Sequence, residues 1–102
     1  MEGLSKRIKE EIINTILSHK KAEKIVIFGS RAGKDFKKNS DVDIAVFGKN
    51  WTDKDINIVK FNLEEGLKTP LKFDVLNFYC LNKETLKKEI LKHGRVIYEE
   101  KD

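Results

Sequence analysis

Two aspartates stand one residue apart in Ser40-Asp41-Val42-Asp43 and run straight into Ile44, Ala45, Val46 and Phe47. No other feature restricts this chain as much. Asp is a poor strand former and an ionised carboxylate is costly to bury, so a core strand opening on two of them needs a reason. Side chains alternate across a strand, which puts Asp41 and Asp43 on one face and Val42 and Ile44 on the other. Their Cα atoms would stand roughly 6.5–7 Å apart, at about 3.3 Å of rise per residue. Two readings fit: a pair of solvated aspartates at a strand end, or two carboxylates converging on divalent cations. Oxygen-only ligation favours Mg²⁺ or Mn²⁺, and two-metal sites hold their ions about 3.5–4 Å apart. A bound cation would offset the repulsion between the acids.

The rest of the chain predicts a small α/β (α+β) fold around that strand. Leu4, Ile8, Ile12 and Ile16 recur every fourth residue, with Ile13 and Leu17 widening the stripe, so an amphipathic helix is expected up to His19-Lys20. Lys24 to Phe28 is a nearly continuous apolar run and reads as a buried strand. Gly29-Ser30 breaks it, and residues 30–36 suit a short helical turn. Asp41 to Phe47 is the second strand. Thr52 and Asp55 make a capping-box start to a helix marked by Ile56, Val59, Leu63 and Leu67, which Gly66 and Pro70 help to end. A third strand is expected from Leu71 to Phe78. Asn82 reads as the N-cap of a last helix, with Leu81 and Leu86 as a hydrophobic staple and Gly94 at its end. Arg95 to Tyr98 is the last strand, completing a small mixed β-sheet flanked by helices.

Composition bounds the partners. With 102 residues, a single domain spanning 1–102 is expected. The net charge of +4 suits a nucleotide, and nucleic acid is the weaker reading because many of the lysines fall on solvated helix faces. Cys80 is the only cysteine, which rules out an internal disulfide and points to a cytoplasmic setting. No apolar run approaches membrane-spanning length, so no membrane role is expected. His19 and His93 lie at helix C-terminal ends, where histidine complements the dipole. Trp51 reads as packing, exposed or half-buried, rather than as a base-stacking platform. Lys37-Lys38 reads as a solvated loop.

A second chemical feature follows the first strand. A glycine at position 29 lets backbone N–H groups come close to a phosphate, the Ser30 hydroxyl can donate, and Arg31 and Lys34 add positive charge. An ordinary strand-to-helix turn is the plainer reading of Gly-Ser alone. A Walker A loop is excluded. The interval from Gly29 to Gly33 is one residue short, and Asp35 stands where Ser or Thr must hold Mg²⁺.

The two features together are more specific than either. Gly29-Ser30-Arg31-Ala32, followed by Ser40-Asp41-Val42-Asp43-Ile44, resembles the nucleotidyltransferase superfamily related to DNA polymerase β. That superfamily places a third acid on a later strand, and Phe73-Asp74-Val75-Leu76 supplies one. The likeness extends over nearly the whole chain. Its length and the ending Leu91-Lys92-His93-Gly94-Arg95-Val96-Ile97-Tyr98 resemble the minimal nucleotidyltransferases, the MNT or MntA-like antitoxins. Those proteins often read GSRARG, whereas this chain has Gly33 and Lys34 in the last two places and keeps the local charge at Lys34.

The resemblance implies a polymerase β-like nucleotidyltransferase core and a division of labour. Asp41 and Asp43 would coordinate the metals, Mg²⁺ or Mn²⁺, that carry a nucleoside triphosphate, with ATP as the expected substrate. Asp74 would bind the metal that activates the acceptor hydroxyl. Gly29 and Ser30 would hold the β- and γ-phosphates, supported by Arg31. The expected reaction is transfer of a nucleoside monophosphate, AMP by resemblance, to a partner hydroxyl such as that of a tyrosine. The elements account for the 102 residues, so the acceptor is expected on another protein, a HEPN-type helical toxin. Trp51, Phe36 and the strand around Tyr98 are candidate interface residues, for that partner or for a homodimer. The alternative is a binding module that neutralises its partner by contact.

Overall fold

The structure, a computed structural model, describes residues 5–29, 41–67, 69 and 71–101. Four strands are present: β1 Lys24–Phe28, β2 Val42–Phe47, β3 Phe73–Asn77 and β4 Arg95–Glu99. They form one mixed sheet, as the sequence predicts, and its strand order is β3-β2-β1-β4. β1 runs antiparallel to β2 and to β4, and β2 runs parallel to β3. The helices are α1 Lys6–His19, α2 Asp53–Gly66 and α3 Glu84–His93, with a 3₁₀ turn at Phe78–Cys80.

Each helix begins for a local reason. Ser5 caps α1, its Oγ accepting from the Ile8 N–H at 3.2 Å. At α2 the capping box closes both ways: Thr52 N–H donates to Asp55 Oδ2 at 2.8 Å and Asp55 N–H to Thr52 Oγ1 at 3.4 Å. α3 differs from expectation. Lys83, not Asn82, is its N-cap, and it makes no side-chain capping bond. The helix is held instead by its apolar face, with Leu81 and Leu86 packed beside buried Ile90. Its end also has another cause than a left-handed turn, since Gly94 has an extended backbone with φ −68°. A Cβ there would sit 2.3 Å from the Ile90 carbonyl oxygen and 2.4 Å from Val26 Cγ1, so close packing of α3 on β1 requires the glycine.

Alternation along the strands builds two unequal cores. On one face, Ile25, Ile27, Val42, Ile44, Val46 and Phe73 meet Ile8, Ile12 and Ile16 of α1 and Val59 and Leu63 of α2. On the other, Val26, Phe28, Ala45 and Phe47 meet Ile90 of α3. The first layer dominates stability, since truncating one fully buried Ile or Leu to Ala costs about 2–5 kcal/mol. Trp51 belongs to it, only 4% exposed with its indole N–H donating to the Lys21 carbonyl at 2.8 Å. It is therefore no interface residue; the turn after β2 folds the ring inward. Tyr98 is half-buried against the same layer, and Phe36 and Lys37-Lys38 lie outside the described residues, as does the turn expected at 30–36. No helix among the described residues is long and apolar enough to cross a membrane.

Candidate active site

Three strand ends meet at one edge of the second face: the C-terminus of β1 and the N-termini of β2 and β3. Asp43 pairs across to Phe28 on one side and to Asp74 on the other. Residues paired across adjacent strands project to the same face, about 4.8 Å apart in the pairing direction. Asp43 and Asp74 are therefore neighbours on the α3 face, while the buried Val42 and Ile44 anchor β2 from below. The register is held by the Val42 N–H donating to the Lys72 carbonyl at 2.9 Å. Asp41 directly precedes β2 and is exposed, Asp43 is half-buried, and Asp74 is exposed on the outermost strand.

Gly29 closes the site from the β1 side, and its role is sharper than a flexible turn. Its φ is +72°, in the left-handed region that costs other residues strain. A Cβ built there would lie 2.4 Å from Asp43 Oδ2. The glycine thus makes room for the carboxylate itself. Sequence reading assigned it to phosphate approach and missed this contact, because nothing local shows which side chain lies over the turn. Ser30 and Arg31 lie outside the described residues.

The electrostatics are unbalanced. Burial pushes the Asp43 carboxyl above its ordinary value, and the nearby Asp74 and Asp41 carboxylates push it the same way. Lys60 of α2 stands beside Asp74, with Nζ 3.7 Å from Asp74 Oδ1. Lys60 too was missed in the sequence. A signal was there, because Val59 and Leu63 face the core and so place Lys60 and Glu64 together on one flank. That flank borders β3, where Glu64 Oε2 accepts from the Phe73 N–H at 3.3 Å.

The donor set fits a hard divalent cation. It is all oxygen, and the unrelieved repulsion around Asp43 is what such an ion would offset. As the side chains stand, no three His, Cys, Asp or Glu groups among the described residues are gathered to hold an ion. The backbone brings Asp43 and Asp74 side by side and Asp41 close enough to act on Asp43, and the carboxylates themselves are not drawn together. A separate hollow of about 340 Å³, lined by Glu23, Lys24, Phe47, Tyr79, Glu99 and Glu100, contains none of the three acids.

The family model Polymerase beta, Nucleotidyltransferase matches residues 10–102. A search of curated proteins found no match. The fold is shared with MntA and MNT antitoxins of known structure. One, a toxin–antitoxin with AMP-PNP, is 20% identical with a TM-score of 0.78 over 90% of this chain and 73% of that one. A second, an MntA–HpeT toxin–antitoxin pair bearing two Asp-to-Glu substitutions, is 18% identical with a TM-score of 0.77, over 90% and 73% of the two chains. A third, the tri-AMPylated Shewanella oneidensis HEPN toxin in complex with MNT antitoxin, is 17% identical with a TM-score of 0.75, over 95% and 74%.

Proposed function

The chain belongs to the polymerase beta nucleotidyltransferase family, and from that premise we propose that it transfers AMP from ATP to a hydroxyl on a HEPN-type partner protein, as the antitoxin of a toxin–antitoxin pair. The observation that carries this reading is the register of β2 on β3, which sets Asp43 beside Asp74 under Gly29 with little positive charge to balance them. Acids arranged for the fold's own benefit would have donors around them.

In this reading Asp41 and Asp43 hold Mg²⁺ or Mn²⁺ with the triphosphate, and Asp74 serves the side of the acceptor. The metal, when bound, neutralises charge on the attacking and leaving oxygens of an in-line displacement. Gly29 leaves the Asp43 carboxylate unobstructed, and Gly29 and Ser30 offer N–H and hydroxyl groups to the β- and γ-phosphates, with Arg31 adding charge. The acceptor hydroxyl gives up its proton to water, its oxygen bonds to the α-phosphorus as the bond to the β-phosphate oxygen breaks, and pyrophosphate leaves. The AMP-PNP complex and the tri-AMPylated toxin among the neighbours support the choice of ATP and of a protein acceptor.

The test is to combine the chain, ATP, Mg²⁺ and the HEPN-type protein encoded beside it, and to weigh that protein intact. A gain of one or more AMP masses, abolished in Asp43→Asn, is the expected result. A tight complex with no change of mass under any nucleotide would leave neutralisation by contact as the function.

A further inference from the structure

At the edge strand, a lysine that no part of the reading above uses stands beside Asp74, one of the three acids. We propose that Lys60 is a built-in counter-ion of the site: its ammonium holds Asp74 while no metal is bound, and so makes the site prefer a metal–nucleotide complex to a bare divalent cation. This rests on the reading that Asp41, Asp43 and Asp74 are metal ligands.

The geometry delivers Lys60 to this place. α2 is fixed at its start by the Thr52–Asp55 capping box and along its length by fully buried Val59 and Leu63. One turn beyond Lys60, Glu64 is tied to the Phe73 N–H of β3, the residue directly before Asp74. The helix backbone is thus pinned against the edge strand on either side of Lys60. The ammonium itself lies 3.7 Å from Asp74 Oδ1 on a side chain that is 42% exposed. It is close enough to act on the site and free enough to turn away.

The sign of its effect follows from charge. A fixed ammonium beside a carboxylate opposes the arrival of a dication at that carboxylate, by repulsion and by competing for the same oxygen. A metal that arrives with a triphosphate brings more negative than positive charge, so the ammonium then gains a second anionic partner. Both Lys60 and Asp74 are substantially exposed, which screens the effect to about three- to tenfold in affinity. Lys60 would act as a positioning residue, through Asp74.

The experiment is Mn²⁺ binding to the full chain, followed by electron paramagnetic resonance without nucleotide, in wild type, Lys60→Met, Lys60→Arg and Asp43→Asn. Lys60→Met should bind Mn²⁺ about three- to tenfold more tightly than wild type, Lys60→Arg should match wild type, and Asp43→Asn should bind weakly. A purely structural role predicts the opposite sign, because a loosened α2 would weaken the site. Lys60→Gln replaces Lys60→Met should circular dichroism show that variant misfolded. Wild-type binding that needs Asp43, with equal or weaker binding in the neutral Lys60 variant, overturns this inference and leaves the metal site standing. Binding by neither protein, or binding unaffected by Asp43→Asn, overturns the metal site and the inference together.

Discussion

Asp43 and Asp55 are the same side chain put to opposite uses. Asp55, at the start of α2, accepts from the Thr52 N–H at 2.8 Å, from His19 Nε2 at 2.9 Å and from Lys20 Nζ at 3.1 Å. The Thr52 N–H, then His19 and Lys20, hold its carboxyl well below the usual range. His19 in turn lies edge-on to the Trp51 ring, 5.6 Å between centroids, so this corner ties the end of α1 to the start of α2. Asp43 is pushed the other way, by burial and by the acids beside it. A carboxylate that serves the fold is given donors by the fold. One left facing other carboxylates stands open to a partner from outside, and in the proposed reaction that partner is a divalent cation.

Replacing each aspartate by asparagine should separate the two uses most widely. Asp43→Asn is expected to lower AMP transfer about 10²–10³-fold, the scale of losing one preorganised electrostatic contact to the transition state. It should not lower the melting temperature in chelator, since a repulsion is removed. Asp55→Asn should melt at lower temperature with transfer retained. An Asp43→Asn protein that transfers normally would break the comparison outright.

Gly29→Ala is expected next in size. The left-handed backbone alone costs about 1–2 kcal/mol with a side chain present, and the added methyl meets Asp43 Oδ2. Denaturant titration should show that loss, together with reduced transfer. Unchanged stability would mean that the turn and the carboxylate are not packed as described.

The two aspartates should also give opposite pH dependences in chelator. The Asp55 carboxyl is depressed, so its contribution is fully present above its ordinary value of 3.8 and fades as pH falls below it. The deficit of Asp55→Asn should therefore shrink in acid. The Asp43 carboxyl is raised, so ionising it in the fold is unfavourable, and that penalty is absent below 3.8 and grows as pH rises through the raised value. The advantage of Asp43→Asn over wild type should appear on going from acid to neutral pH. Melting temperatures across that range check both, and parallel curves would contradict the contrast.

The smallest effect is expected where a hydrogen bond sits in the open. Tyr79 donates its hydroxyl to Glu23, which pushes the phenol up to about 12 and holds the Glu23 carboxyl below its ordinary value. Glu23→Gln should return the phenolate transition toward 10.0 in an ultraviolet titration. Tyr79→Phe should alter stability by no more than about 0.5 kcal/mol, as at other surface positions.

What was legible in the sequence is what depends on near neighbours in the chain. The four-residue stripe of α1, the Thr52–Asp55 box and the alternation that turns Asp43 away from Val42 and Ile44 are all short-range, and all appear in the structure. The third strand is shorter than expected, because the chain after Asn77 turns into a 3₁₀ segment whose Tyr79 N–H is taken by Asn77 Oδ1. Burial of Trp51, the contact of Gly29 with Asp43 and the reach of Lys60 to Asp74 depend on how elements stack, and no window of sequence contains both partners. Asp43 beside Asp74 is the intermediate case. Each acid stood out in an apolar run, and only the parallel register of β2 on β3 makes them neighbours.

The acid end of the sheet is electrostatically incomplete, and the proposed reaction requires it to take a divalent cation through Asp43. Thermal melts with and without Mn²⁺ test it most directly, because an ion bound only by the folded chain raises its melting temperature. Wild type and Asp55→Asn should both gain stability with Mn²⁺, and Asp43→Asn should gain little or none. An equal gain in all three proteins, or no gain in wild type, would contradict the account.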